Sequence, residues 1–384
     1  MKILVLNYEF PPVGGGGGQA SADLCRALAA RGHEVRLVTT RVPGLARKQE
    51  IDGTTVLRVF TGRRSRFRAS FLAMAGYVAG AFLPALRLAR TWKPDLIHAH
   101  FAVPTGALAN RLSRLTGIPY VLTAHLGDVP GGVPEKTGRW FRRVYRFTHA
   151  IWREASAVVA VSEHTRQLAL EHYPVAIEVI PNGVALPDGA AEARPVSHPP
   201  AIVYVGRFQP QKNLGFLIDL LDRVRDLPWG CTLVGDGPTR GEIEASIRQK
   251  GLADRVSLTG WVSPEEAARR LAASDLLVMP SLSEGLPVVG VQALAFGLAL
   301  LVSQAGGLAE LVEDGVNGRC CPIVDRECFE RALRWCLEDS ARLLQMKQAS
   351  RSLAARYDIR TVAAAYEAIF ARVAAQESHG KTSV

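Results

Sequence analysis

The sequence predicts two α/β domains, each built on a doubly wound parallel sheet. Three observations predict it. Short apolar runs alternate with helix-like segments, the alternation breaks once and restarts, and polar motifs recur at the carboxyl ends of the runs. In the first half the strand-like runs are residues 2–8, 34–40, 54–59, 95–100, 120–125 and 157–162. In the second they are residues 201–207, 231–237, 256–260, 276–281 and 298–303. Short apolar runs separated by helices belong to parallel sheets covered on both faces. Residues 186–200 read LPDGAAEARPVSHPP, rich in Pro and Ala and without periodicity, as a linker does. The expected domains are residues 1–190 and 191–384, with the last helix a candidate to cross back to the first. Ligands of such sheets bind beyond the carboxyl ends of the strands, so a cleft between the domains is the expected site.

Composition agrees with two globular domains. The chain has 384 residues, 48% of them hydrophobic and 21% charged. The net charge of +10 belongs to the first half: residues 1–190 carry 24 Lys+Arg against 13 Asp+Glu, and the remainder 22 against 23. Such a half would attract an anionic membrane surface or nucleic acid. No nucleic-acid module has its signature here, so nucleic acid is not an expected partner. The chain starts MKILVL, a short apolar strand without the long run and cleavage site of a signal peptide. Cys25, Cys231, Cys320, Cys321, Cys328 and Cys336 form no C-x-x-C pair and lie in helix- or strand-like segments. They read as core thiols of a reducing cytosol.

Taken in order, the first motif is the run of five glycines at 14–18, between the first strand and a helix. Backbone without Cβ atoms lets a ligand approach, and a helix N-terminus favours an anion. It is no dinucleotide fingerprint: the third glycine would fall at Gln19 or later, and strand two ends Thr39-Thr40-Arg41 instead of in an acid. The tract Arg63-Arg64-Ser65-Arg66-Phe67-Arg68 precedes an uncharged run at 69–86, long enough to span a bilayer. That run is rich in Ala and Gly, contains Pro84, and falls where the fold needs a covering helix. His98 and His100 alternate on one strand, and His125 ends the next with Asp128 close by. No metal-ligand spacing links them, so no metal is expected. His98 reads as a core histidine and His125 as a ligand contact. Residues 136–153 mix Lys136, Arg139, Arg142, Arg143, Arg146 and Arg153 with Trp140, Phe141, Tyr145, Phe147 and Trp152, which suits either an interfacial helix or a solvated basic face.

In the second half, Gly206 and Arg207 end the first strand and Lys212 follows before a helix. Two cations at such a crossing suit a diphosphate. Gly235-Asp236-Gly237-Pro238 is a turn, and residues 258–262, LTGWV, end a strand where backbone groups can meet a flat base. Residues 281–297 read SLSEGLPVVGVQALAFG. Glu284 and Gln292 are eight residues apart, so a continuous helix would set them within about 80° of each other.

This ordered set resembles the retaining glycosyltransferases of family 4, which have the GT-B architecture of two facing Rossmann-like domains. The resemblance runs through the glycine loop, TAHLGD at 123–128, VSEHT at 161–165, VIPNGV at 179–184, YVGRFQPQKN at 204–213, LVGDGP at 233–238, LTGWV at 258–262, SEGLPVVGVQALAFG at 283–297 and AGGLAELVEDGVNG at 305–318. It implies transfer of a hexose from a UDP- or GDP-sugar to an acceptor hydroxyl, with no metal or other cofactor. By resemblance Arg207 and Lys212 hold the diphosphate, Glu284 contacts the transferred sugar and His125 lies by the anomeric centre. Gly206, Gly235, Val262, Leu286, Pro287, Val288, Gln292 and Glu310 complete the donor site. Gly15, Gly16, Gly17 and Asp128 face the acceptor. The family pattern is Glu-x7-Glu, and Gln292 replaces the second acid, keeping a carbonyl acceptor but losing the charge. The implied setting is cytoplasmic synthesis of a surface polysaccharide, lipopolysaccharide or glycolipid. The acceptor is a glycan or lipid-linked, with peripheral contact at the inner membrane face. The alternatives are a non-catalytic sugar-nucleotide or membrane-binding protein and a GT-B epimerase or phosphorylase. A nicotinamide dehydrogenase is disfavoured by the failed fingerprint.

Overall fold

The structure, a computed structural model, describes residues 1–66, 69–133, 141–187 and 193–380. Phe67, Arg68, Lys136, Arg139 and Trp140 of the two basic tracts lie outside the described residues, as do residues 188–192 of the expected linker. The chain divides into two compact units, Met1–Gly183 with Ile359–Val384, and Val184–Asp358.

In the first unit, β1 (Lys2–Leu6), β2 (Glu34–Arg41), β3 (Lys48–Ile51), β4 (Thr54–Phe60), β5 (Leu96–His100), β6 (Tyr120–Ala124), β7 (Ala157–Ala160) and β8 (Glu178–Val179) form one sheet, ordered β3-β4-β2-β1-β5-β6-β7-β8. All of these pair in parallel except β3 with β4. β3 is the polar KQEI and β8 only two residues, so neither has an apolar run to predict it. The helices are α1 (Gly16–Ala30), α2 (Phe71–Thr91), α3 (Ala107–Thr116), α4 (Phe141–Arg153), α5 (Glu163–Leu170) and, from the end of the chain, α12 (Ile359–Gly380).

Both faces of this sheet are apolar because both are covered. Along β1, Ile3 and Val5 share a core with Leu24 and Leu28 of α1 and with Tyr366 and Phe370 of α12. Leu4 and Leu6 point the other way, to a core shared with Tyr77 and Ala81 of α2, Leu108 and Leu112 of α3, and Ile151 and Trp152 of α4. α12 offers Val362, Tyr366, Ile369, Phe370 and Val373 at helical spacing, all buried. Ser70 caps α2 by accepting the Ala73 N–H. Residues 69–86 thus enter a helix docked on the sheet. A Cβ on Gly76 or Gly80 would lie 2.3 Å from the carbonyl oxygens of Thr61 and Phe60, so the helix backbone rests directly on the end of β4.

In the second unit, β9 (Ala201–Val205), β10 (Gly230–Val234), β11 (Val256–Gly260), β12 (Leu276–Met279), β13 (Ala299–Ser303) and β14 (Gly318–Cys321) form an all-parallel sheet, ordered β11-β10-β9-β12-β13-β14. Its helices are α6 (Leu214–Arg223), α7 (Arg240–Gln249), α8 (Pro264–Ala272), α9 (Val288–Phe296), α10 (Arg326–Leu337) and α11 (Ser340–Ala354). The chain builds outward from β9 in one direction, then returns at β12 and builds in the other. The switch point between β9 and β12 leaves a crevice at their carboxyl ends. In the first unit the matching point lies between β1 and β5.

One cysteine expectation is corrected. Cys321, ending β14, and Cys328, in the first turn of α10, form a disulfide with Cα atoms 5.9 Å apart. Asp325 caps α10 through the Cys328 N–H and turns the chain back so that the two thiols meet. Cys25, Cys231, Cys320 and Cys336 are free. The cysteines therefore carry no argument for a reducing compartment.

At the amino ends of β9 and β12 the carboxylate of Asp275 is buried. It accepts from the Lys347 Nζ at 2.6 Å, the Ala201 N–H at 2.9 Å and the Ser197 N–H at 3.1 Å. Lys347 is itself 1% exposed. Arg194 also reaches this carboxylate, at 3.3 Å, but from an exposed position, so removing Lys347 takes away its buried cation. Lys347→Met is expected to cost the second unit about 3 kcal/mol, measured by urea unfolding; a loss below about 0.5 kcal/mol, the range of an ordinary surface substitution, would show the pair to be dispensable.

Candidate functional site

The second unit gathers its candidate residues where β9, β10, β11 and β12 end. The Gly206 N–H donates to Val234 O at 2.9 Å, the Phe208 N–H to Asp236 O at 2.9 Å, and the Gly235 N–H to Gly260 O at 3.1 Å. These bonds lock three strand ends side by side. A Cβ on Gly235 would lie 2.0 Å from Gly206 O, so only glycine permits the approach. Beyond β9, Pro210–Lys212 make one 3-10 turn. The Gln211 side chain donates to Ser283 O at 2.6 Å, and Leu282 N–H returns a bond to Gln211 O at 2.8 Å. The loop after β12 is thereby strapped to that turn. Between them Lys212 Nζ meets Glu284 Oε1 at 2.5 Å, with Glu284 only 6% exposed. The Glu284 carbonyl accepts the Gly307 N–H at 3.2 Å, which ties in a 3-10 segment, Gly306–Leu311.

Glu284 is not on a helix. α9 starts at Val288 after Pro287 at the N-cap, so the expected helical relation between Glu284 and Gln292 does not hold. Gly285-Leu286-Pro287 forms a loop because proline fits the start of a helix, not the turn before it. Gln292 sits half-buried on α9, and among the described residues no hydrogen bond joins it to Glu284 or Lys212. The α9 N-terminus has no side-chain cap and no acid in its first turn, which leaves its positive end open to a ligand. Arg207 is half-buried, and its carbonyl accepts from the Tyr204 hydroxyl at 3.3 Å. Burial and the nearby Glu284 charge push the Tyr204 phenol well above its usual range. Val262 is half-buried in the loop after β11, Pro287 is half-buried, and Leu286 and Val288 are buried. Glu310 is exposed on the 3-10 segment, its carbonyl accepting from Tyr357. The structure thus brings Lys212 and Glu284 into direct contact. It sets Gly206, Arg207, Gly235 and Val262 just beyond the strand ends, Leu286, Pro287 and Val288 at the start of α9, Gln292 farther along α9, and Glu310 on the 3-10 segment.

In the first unit the glycine run and His125 meet. A Cβ on Gly17 would come within 2.6 Å of the Phe101 ring and 3.4 Å of the His125 ring. Phe101 stacks on His125 with centroids 4.4 Å apart. Asp128 does not point outward as an acceptor contact: its oxygens take the His125 N–H at 2.9 Å and the Val103 N–H at 3.4 Å. Burial pushes its carboxyl up to about 7. Gly15 caps α1, and Gly16 and Gly17 open it. Two N–H groups of the loop are already engaged, Gly14 with Arg66 O at 2.8 Å and Gly15 with Glu9 Oε2 at 3.2 Å. Glu9 is held in turn by Arg63, whose side chain is 1% exposed. Sequence reasoning missed both: Glu9 stands in an apolar context, and Arg63 reads as one of a surface basic tract. The available signal was the alignment of one acid before the glycines with one arginine at the end of β4.

His98, His100 and His125 form a row of rings, with centroids 4.3 Å and then 6.0 Å apart. His98 Nε2 bonds Thr123 Oγ1 at 2.9 Å, and Thr123 bonds the Tyr366 hydroxyl of α12 at 3.0 Å. Among the described residues, both ring nitrogens of His100 and the His125 Nε2 are buried without a protein partner. Burial lowers His98 to about 3 and His125 to about 4, and takes His100 well below its usual value. His125 is therefore a neutral imidazole at pH 7.

These shifts carry a signed consequence for stability. Each depressed histidine contributes stability above its unfolded value near 6.5 and loses it as pH falls through the folded value. Asp128, with a raised value, works oppositely: its contribution is present below about 3.8 and is lost as pH rises through 7. Between pH 6.5 and 5 the unfolded chain binds up to three protons on these histidines, while the native chain holds one on Asp128. Stability of the first unit should fall by about 2–3 kcal/mol per pH unit in that window. Urea midpoints at pH 7 and pH 5 measure it, and equal midpoints would rule out a neutral buried row.

Two family models match the chain: Glycosyltransferase Family 4 over residues 14–187 and Glycosyl transferases group 1 over residues 191–353. The glycogen synthase of Mycobacterium tuberculosis (strain H37Rv) is 29% identical over 396 residues, covering 96% of this chain and 94% of that protein. Among solved structures, sucrose-phosphate synthase from Thermosynechococcus elongatus superposes with a TM-score of 0.84 at 22% identity, covering 98% of this chain and all of that one. HepE of Anabaena, in complex with UDP and glucose, gives a TM-score of 0.76 at 22% identity over 97% of this chain and all of that one. The two parallel-sheet units make up the GT-B fold, and the chain belongs to glycosyltransferase family 4.

Proposed function

We propose that this glycosyltransferase is a retaining hexosyltransferase. It takes a hexose from a UDP- or GDP-sugar and passes it to a hydroxyl of a glycan or lipid-linked acceptor. The observation that carries this reading is the Lys212–Glu284 contact at the switch point of the second sheet. The pairing has a chemical use. Glu284 fixes the ammonium where a diphosphate would lie and keeps its second oxygen for a sugar hydroxyl. Arg207, Lys212 and the open α9 N-terminus supply the positive charge that a departing diphosphate needs. The complex of Anabaena HepE with UDP-glucose supports the same ligand class.

In this mechanism the bond from the anomeric carbon to the diphosphate oxygen breaks while charge builds on the phosphate. The acceptor oxygen attacks from the face that the phosphate leaves, and the phosphate takes the acceptor proton. His125, carried by the first unit, acts as a neutral hydrogen-bonding group and not as an acid, because its imidazole is unprotonated at pH 7. The protein's own cations stabilise the leaving group, so the reading assigns no metal. The reaction belongs to the cytoplasm, in synthesis of a polysaccharide or other glycoconjugate at the inner membrane face, where the basic first unit meets an anionic surface.

Arg207→Ala and Lys212→Ala should each lower kcat by about a hundredfold or more with the far-UV spectrum unchanged. Full turnover in both variants would remove the donor assignment. Gln292→Glu restores a charged acceptor on α9 and should tighten donor binding about five- to tenfold by calorimetry. Unaltered affinity and donor choice would count against a donor contact at this position.

A further inference from the structure

We propose that the outer surface of α2, α3 and α4 is a docking face for an anionic lipid bilayer. The three helices pack in sequence on one face of the first sheet, α2 against α3 and α3 against α4. Their sequences contain no Asp or Glu. Arg87, Arg90, Arg111, Arg114, Arg146 and Arg153 are all exposed. Arg114 and Arg153 share the single acid that follows α4, Glu154, at 2.5 and 3.8 Å. The other four make no ion pair among the described residues. The opposite face of the same sheet is treated differently: α1 and α12 pair their charges, Arg26 with Asp23 and Arg31 and His33 with Glu367.

Charge alone would suit any polyanion, and the apolar side chains decide between them. From Phe71 to Leu86, α2 has no charged residue. Its inner side is spent on the sheet through Tyr77, Ala81 and Ala85, so the helix cannot leave to span a membrane. Its outer side exposes Leu72 (80%), Leu83 (70%) and Phe71 (52%), and α4 adds Phe147 (61%). A helix of 21 residues is about 31 Å long and lies along the unit's surface. The Arg111 guanidinium stands 5.7 Å from the Phe82 ring of α2, and Arg146 stands 4.7 Å from Phe147. Cations and apolar groups therefore share one surface. A phosphate backbone gains nothing from exposed leucines, whereas a bilayer takes them at the acyl boundary while arginines reach the headgroups.

The proposal deepens the membrane contact stated above and is independent of the transfer chemistry. The test uses the full chain with phosphatidylcholine vesicles, with and without phosphatidylglycerol, in a flotation assay at low salt. The wild type should float only with the anionic vesicles. Each arginine near such a surface is worth about fivefold in partitioning, so the Arg87→Gln/Arg111→Gln double variant should lose about thirtyfold. Leu72→Ser/Leu83→Ser should lose binding at unchanged charge. Failure of the wild type to float, or equal flotation of the arginine variant, would overturn the docking face. Retention on single-stranded nucleic acid without flotation would do the same. Donor affinity of the second unit, measured by calorimetry in solution, should be unaltered in both variants. Its loss in the wild type would instead count against the proposed function, which keeps the two readings separable.

Discussion

Parallel pairing forces every strand of a sheet to end at the same edge, and the rest of this molecule follows from that constraint. Each strand end must turn into a crossover helix, so each contributes a loop to one crowded border. In the second unit those loops are hydrogen-bonded to one another before any side-chain chemistry is considered. Gln211 is the clearest case. It is buried beside a lysine that matters more, yet its two bonds to the 281–287 loop set the separation at which Lys212 and Glu284 meet. A charged pair without that strap would lose side-chain entropy each time it formed and would be worth little.

The two units use burial in opposite ways. In the second, a carboxylate that is almost fully buried is compensated at once by an ammonium, so charge is retained at the strand ends. In the first, burial disfavours the charged form of the histidine row, no carboxylate among the described residues opposes it, and neutrality is the result. Asp128 belongs to the same regime: backbone donors of His125, Val103 and Ala102 hold it, but desolvation wins and lifts its carboxyl. Its contact with the His125 N–H makes it a positioning group for the turn that carries the imidazole.

Much of this was legible in the sequence because it depends on period and local chemistry. Apolar runs such as LLVM at 276–279 and ALLVS at 299–303 announce strands buried on both faces. The lysine and glutamate were legible as types at strand ends. Their contact was not, since 72 residues separate them and only the switch in strand order makes β9 and β12 neighbours. The helical spacing of Glu284 and Gln292 misled because Pro287 delays the helix past Glu284. β3 and β8 escaped because pairing at a sheet edge needs no apolar pattern. The Cys321–Cys328 bond escaped because it depends on how Asp325 caps α10, not on a spacing motif.

The glycine run shows how one neighbour can change what a motif means. Five glycines at the start of a helix suggest an anion cradle, and the α1 N-terminus does carry the partial positive charge that such a cradle needs. Glu9 alters the balance. It accepts the Gly15 N–H, sits against Gly14 and is itself held by Arg63, so the charges of the two side chains largely offset each other within the loop. Arg63 also donates to the carbonyls of Ser65 and Arg66, and Arg66 in turn accepts the Gly14 N–H. The loop is therefore closed by its own protein partners at its first two donors. What remains open lies at Gly16 and Gly17, beside the neutral rings of Phe101 and His125. A free anion would meet little net positive potential there, whereas a hydroxyl needs only a neutral donor or acceptor. The His125 Nε2, buried and without a protein partner among the described residues, is such a neutral group, and the absent Cβ of Gly17 is what lets the Phe101 ring pack between it and the helix start.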